Sequence, residues 1–211
     1  MDANKKPVIF LGGGGGSKAS AELDTIFFSL LKKDARILYI PTALDPERYP
    51  GAVEWFTKVI RLYSDTIDFT MMTEDNVNQF NFDDFDAVYI GGGNTYKLLD
   101  FVISNNLDQK LRAFIDSGKL FYGGSAGAIL TGKTINTAAE MDPRLSYKYD
   151  NGLNWLKDAS VSCHWPETKH CTDELLENNP QKIYCIPENC GLLFDVKGDL
   201  LRTVGSGVEI L

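Results

Sequence analysis

Short, largely apolar runs recur along the first 125 residues: Val8-Ile9-Phe10-Leu11, Arg36-Ile37-Leu38-Tyr39-Ile40, Thr66-Ile67-Asp68-Phe69-Thr70, Ala87-Val88-Tyr89-Ile90 and Lys119-Leu120-Phe121-Tyr122, most of them stopped by Gly or Pro. Between them, residues 19–33, 52–63, 95–104 and 107–117 carry apolar side chains three and four apart, the spacing of one helix face. Strands apolar at nearly every position must be covered on both faces, and strands that alternate with helices pair in parallel. The pattern therefore predicts an α/β three-layer sandwich around a mostly parallel central sheet. From about Tyr184 the rhythm changes to Ile186-Pro187, then residues 191–195, 200–204 and 208–211, with Lys197-Gly198-Asp199 as a turn. These read as antiparallel C-terminal strands added at the edge of the same domain. No repeat or low-complexity linker divides the chain, so residues 1–211 are read as one domain.

Composition narrows the partners. The chain has 211 residues, 44% hydrophobic and 24% charged, with a formal net charge of −8. Nucleic-acid grooves and anionic membrane surfaces are bound by clustered Lys and Arg, which this sequence lacks, so neither is expected as a partner. The stretch Met1-Asp2-Ala3-Asn4-Lys5-Lys6-Pro7 leads into an apolar run too short for a signal-peptide core, and no segment approaches a membrane span. A cytoplasmic protein is expected, as monomer or homodimer. The four cysteines, Cys163, Cys171, Cys185 and Cys190, then read as reduced core thiols.

The candidate chemistry sits at Gly123-Gly124-Ser125-Ala126-Gly127, directly after a strand run. This is the Gly-x-Ser-x-Gly nucleophile elbow, in which a strained turn lifts the serine hydroxyl clear of the sheet. A base is required, and the chain has two histidines. His164 ends the apolar run from Ala159 and so lies at the ligand-binding edge of a sheet, whereas His170 falls in a polar stretch and reads as a solvated loop residue. Gly91-Gly92-Gly93-Asn94-Thr95 follows another strand run and can offer amides to an oxyanion, from Gly92 or Gly93, beside that of Ala126. The same segment also reads as a strand-to-helix turn capped by Asn94 or Thr95.

Three other patterns compete. The glycine run 12–16 matches almost any glycine motif, and no acidic residue ends the second strand run, so a turn approaching the active-site end of the sheet is the better reading. Residues 127–134 satisfy the phosphate-loop pattern Gly-x-x-x-x-Gly-Lys-Thr letter for letter, which would imply a nucleotidase. Their apolar middle, Ala128-Ile129-Leu130, reads instead as a buried helix continuing from Ser125. Adjacent Cys163-His164 and His170-Cys171 pairs lack the spacing of a zinc site, and no metal or organic cofactor is implied.

Gly91-Gly92-Gly93-Asn94-Thr95-Tyr96-Lys97-Leu98-Leu99, then Gly124-Ser125-Ala126-Gly127-Ala128, then His164-Trp165, then Ile186-Pro187-Glu188-Asn189, in that order, resemble the peptidase E family of aspartyl dipeptidases, to which cyanophycinase is related. The resemblance implies a serine peptidase on a fold like that of the class I glutamine amidotransferases, with Ser125 as nucleophile and His164 as base. The family's acidic residue some fifteen positions after the serine, ahead of a methionine, corresponds to Glu140 before Met141. Many members carry aspartate there, and Asp142 stands close enough to be a rival. The resemblance further implies a small acidic peptide as substrate. Asn94, Thr95, Asp142 and Arg144 are then expected to line its site, with Arg144 or Lys148 meeting the carboxylate and Asp142 or Glu167 the α-amine. A noncatalytic relative that binds a small ligand in the same cleft is the alternative from another class.

Overall fold

A computed structural model describes residues 6–211, so the expectation drawn from residues 1–7 lies mostly outside it. The apolar runs become β1 (Ile9–Gly12), β2 (Arg36–Ile40), β3 (Asp68–Met71), β4 (Ala87–Ile90) and β5 (Leu120–Gly124), alternating with α1 (Ala21–Ser29), α2 (Tyr49–Arg61), α3 (Thr95–Ser104) and α4 (Leu107–Asp116). A one-turn helix α5 (Ala126–Ile129) follows β5. The remainder forms β6 (Ser160–Cys163), α6 (Lys169–Asn178), β7 (Ile183–Ile186), β8 (Gly191–Phe194), β9 (Leu200–Val204) and β10 (Glu209–Ile210). Helix α2 starts at Tyr49, ahead of the periodic stretch, because Pro50 occupies its first turn, where the missing N–H costs nothing.

The central sheet has seven strands in the order β3-β2-β4-β5-β1-β8-β9, the first five parallel. Their side chains alternate between two apolar layers. Phe10, Ile37, Tyr39, Tyr89 and Tyr122 face α1 and α2, through Leu23, Phe27, Phe56 and Ile60. Their neighbours Leu11, Leu38, Ile40, Val88, Ile90 and Phe121 face α3, α4 and α5, through Leu98, Val102, Leu111 and Ile129. This period-two division, apolar on both sides, is what makes the runs look continuous in sequence. The α/β reading with a mostly parallel central sheet holds.

The C-terminal part is arranged differently from the expectation of a single sheet edge. β8 does join β1 antiparallel, and β9 joins β8. β7, however, pairs in parallel with β6 in a second sheet of order β10-β7-β6, with α6 as the crossover between them. Parallel neighbours need such a crossover, and the 169–178 helix supplies it. Val161, Cys163, Tyr184 and Ile186 of this small sheet share one apolar cluster with Leu11, Ile90 and Phe121, so the two sheets are packed on a common core. The four cysteines are buried and unbridged. Among the described residues, no helix is long and apolar enough to cross a membrane.

Candidate active site

Ser125 sits between β5 and α5 with φ 50° and ψ −113°, a positive φ that costs a non-glycine residue about 1–3 kcal/mol and is retained only where the surroundings impose it. Two contacts impose it. The Ser125 N–H donates to the Gly12 carbonyl at 3.0 Å, and the chain turns so sharply that a Cβ on Gly123 would lie 2.3 Å from the Gly127 oxygen. The Ser125 hydroxyl lies 2.8 Å from His164 Nε2, and His164 Nδ1 lies 2.9 Å from Glu188 Oε1. Serine, histidine and glutamate follow the carboxyl ends of β5, β6 and β7 respectively, the end of a sheet where α/β proteins place their ligands.

The glycine run 12–16 threads between these loops. Its carbonyl at Gly13 accepts from the His164 N–H at 2.9 Å, and the Gly15 N–H donates to the Glu188 carbonyl at 3.2 Å. Gly14, at φ +108°, lies so close to the imidazole that a Cβ would fall 2.3 Å from His164 Cε1. The run is thus the backbone approach read from the sequence, and it fastens the histidine loop to the glutamate loop.

Glu140 and His164 are not brought together. Glu140 Oε1 lies 2.7 Å from His170 Nδ1, on α6. The chain leaving α5 is tied to the second sheet by the Thr134 N–H, which donates to the Ser160 hydroxyl, by the Thr137 hydroxyl, which donates to the Val161 carbonyl, and by the 3₁₀ turn Asn136–Ala138, which packs on β6 and α6. Residue 140 consequently emerges over α6 and not behind the histidine ring. The rival Asp142 is also absent from His164. Its Oδ2 accepts from the Thr95 N–H at 2.7 Å and from the Thr95 hydroxyl at 2.5 Å. Asn94 caps α3 by accepting from the Lys97 N–H, and its amide donates to the Pro143 carbonyl, both at 2.8 Å. Asn94, Thr95 and Asp142 therefore staple the 141–143 segment to the start of α3. Glu188 belongs to the segment Ile186-Pro187-Glu188-Asn189, in which nothing along the sequence marks it as the partner of His164.

Arg144 and Lys148 do not reach the cavity. Arg144 Nη1 is 3.2 Å from Asp150 Oδ2, its other donors go to the carbonyls of Tyr147 and Lys148, and its guanidinium lies 5.7 Å from the Tyr96 ring centre. Lys148 and Glu167 are exposed elsewhere. The phosphate-loop reading of residues 127–134 also fails on geometry. α5 is buried, the Lys133 N–H donates to the Ala159 carbonyl, and the Thr134 N–H to the Ser160 hydroxyl, so these amides are spent on β6 and its approach. Cys163, whose sulfur lies 3.7 Å from the Ser125 carbonyl, is fully buried, and burial pushes its thiol far up, which removes it as a competing nucleophile.

Ser125 and His164 open on a cavity of about 520 Å³ whose wall includes Asp45, Arg48, Gly92, Asn94, Lys97 and Asp142. A Cβ on Gly92 would lie 3.2 Å from Ser125 Cβ, so the 91–93 backbone passes directly beside the hydroxyl. Gly93, at φ +137°, instead presses against the Ala43 carbonyl. Ala126 is the first residue of α5, and first-turn amides have no partner within their helix. Lys97 Nζ is engaged by the Leu44 carbonyl and by Asp45 at 3.3 Å, whereas Arg48 carries no ion pair among the described residues.

A family model described as Peptidase family S51 matches residues 8–202. Curated relatives named Peptidase E include one from Actinobacillus pleuropneumoniae serotype 5b, 31% identical over 132 residues that cover 57% of this chain and 55% of the relative. Another, from Haemophilus influenzae, is 39% identical over 118 residues, covering 51% and 53%. The aligned segments thus span about half the length of these relatives. A solved structure of a candidate Peptidase E from Listeria monocytogenes EGD-e superposes with a TM-score of 0.71 at 23% identity, over 96% of both chains. A peptidase from an acI-B1 Actinobacterium superposes with a TM-score of 0.69 at 20% identity, over 96% and 95%. These two similarities establish the fold, and with the family match running through nearly all of the sequence, the chain belongs to peptidase family S51.

Proposed function

We propose that this chain is a serine-type peptidase that releases an N-terminal acidic residue, aspartate foremost, from short unblocked peptides. The observation that carries the reading is the Ser125–His164–Glu188 chain of hydrogen bonds opening on a polar cavity. Ser125 Oγ attacks the scissile carbonyl while His164 Nε2 takes its proton. The amides of Ala126 and Gly92, or Gly93, receive the developing oxyanion. His164 then gives the proton to the departing amine, leaving an acyl-enzyme that water hydrolyses by the same proton route in reverse. Glu188 accepts the Nδ1–H, fixes the tautomer and stabilises the imidazolium.

An acidic side chain entering a protein of net charge −8 needs a local cation, since an unpaired buried charge costs several kcal/mol, roughly. Arg48 takes the place first given to Arg144, because it lines the cavity and is not already paired among the described residues. Asp45 and Asp142 supply the negative wall for a free α-amine, which confines the enzyme to unblocked N-termini. Turnover of Asp-Leu, acetyl-Asp-Leu and Ala-Leu tests the specificity: Asp-Leu is cleaved, the other two poorly, and Arg48→Ala weakens Asp-Leu more than Ala-Leu. Equal rates on Asp-Leu and Ala-Leu would discard the acidic pocket.

A further inference from the structure

A second cavity, about 460 Å³, lies on the other side of Gly92. It shares Leu44, Arg48 and Gly92 with the cavity of Ser125, so the two meet along the same short stretch of backbone. Its floor and wall are Tyr39, Ala52 and Trp55, with Gly51 beside them. Arg48, Gly51, Ala52 and Trp55 recur at three- and four-residue intervals, so the start of α2 turns one stripe toward it. Trp55 is half-buried and held by neighbouring rings, its centre 6.0 Å from Phe56 and 6.3 Å from Tyr89. The two cavities differ in chemistry: beside the shared Arg48, one carries the charged groups Asp45, Lys97 and Asp142, the other Glu47 and an aromatic surface.

A peptide lying across Ser125 must run in both directions from the bond it presents. The polar cavity suits its charged N-terminal residue. We propose that the aromatic cavity of Tyr39, Ala52 and Trp55 seats the residue that leaves, and selects peptides with a large apolar or aromatic side chain after the scissile bond. The inference rests on the peptidase reading above and adds to it the identity of the second residue.

Gly51 offers a direct probe. A Cβ there meets nothing within 4 Å, and the residue lines the cavity, so a large side chain can be placed at its edge without a clash at Cβ. kcat/KM is measured on Asp-Gly, Asp-Leu and Asp-Phe with wild type, Trp55→Ala and Gly51→Phe. Wild type should favour Asp-Phe and Asp-Leu over Asp-Gly by about tenfold, within what one apolar pocket delivers. Trp55→Ala should narrow that ratio to within about twofold, through KM, and Gly51→Phe should depress Asp-Phe and Asp-Leu about tenfold while leaving Asp-Gly close to wild type. Should Trp55→Ala fail to fold, Gly51→Phe decides alone. Cleavage of all three dipeptides at rates that neither variant redistributes overturns the leaving-residue site and leaves the peptidase standing. Absence of wild-type turnover on every Asp-X dipeptide overturns both, and is recognised before any variant is compared.

Discussion

Gly14 lies against the imidazole of His164, close enough that a single added methyl would occupy the space 2.3 Å from Cε1. The residue also holds φ +108°, which L side chains rarely adopt. Gly14→Ala is therefore expected to push the imidazole away from Ser125 and to lower kcat by about a hundredfold, as small misplacements of catalytic groups do. A circular dichroism spectrum unchanged from wild type would show that the loss is local. Full activity in this variant would mean that the ring has another resting place.

In the proposed triad the acid that orients His164 is Glu188, whose Oε1 is 2.9 Å from Nδ1. Glu188→Gln should cost roughly 10²- to 10⁴-fold in turnover, since an amide neither fixes the tautomer nor stabilises the imidazolium as a carboxylate does. Glu140→Gln, which removes only a partner of His170, should remain near wild type. His170→Ala should behave like Glu140→Gln. The opposite ranking of the two glutamates would restore Glu140 to the role.

Asp142 binds both the N–H and the hydroxyl of Thr95 at the start of α3. Asp142→Ala leaves these donors without their acceptor and should reduce unfolding free energy by about 1–3 kcal/mol in urea titrations. It also frees the 141–143 wall of the cavity, so KM should rise while kcat changes less. A variant of unchanged stability would show that the staple contributes nothing.

Asp24, 1% exposed under the glycine run, accepts from Ser20 at 2.8 Å and Tyr122 at 2.6 Å. Burial raises its carboxyl above the ordinary 3.8, against the opposing effect of those two bonds. The folded state thus keeps its proton to higher pH than the unfolded chain. This contribution to stability is present below the unfolded value and is lost as pH rises through the folded one. Asp24→Asn lacks the titration, so the variant's Tm relative to wild type should improve as pH rises from the ordinary carboxylate value through the raised folded one. A Tm difference independent of pH would contradict the assignment.

The positions of Ser125 and His164 were legible in sequence because each ends an apolar run, and strand ends are where a parallel sheet exposes side chains. The partner of His164 was not, because it depends on a pairing between strands. Cys163 of β6 stands in register with Ile186 of β7, so His164 and the Pro187-Glu188 step emerge side by side. Nothing in a linear reading announces that register, nor that β6 belongs to a second sheet. The family resemblance implies Glu140, yet the 3₁₀ turn at Asn136–Ala138 redirects the chain toward α6. Arg48 carries no comparable signal, since it lies ahead of the periodic stretch 52–63, and only in the fold does it stand directly before α2 in the wall of both cavities.

The central claim is that the Ser125 hydroxyl, paired at 2.8 Å with His164 Nε2, is an activated nucleophile. Incubation of the intact protein with a fluorophosphonate, followed by mass measurement and peptide mapping, tests it directly. The account predicts a single adduct, on Ser125, that is absent from Ser125→Ala and forms about a thousandfold or more slowly in His164→Ala. An unmodified Ser125 in the folded wild-type protein, or labelling that His164→Ala leaves at full speed, would contradict it.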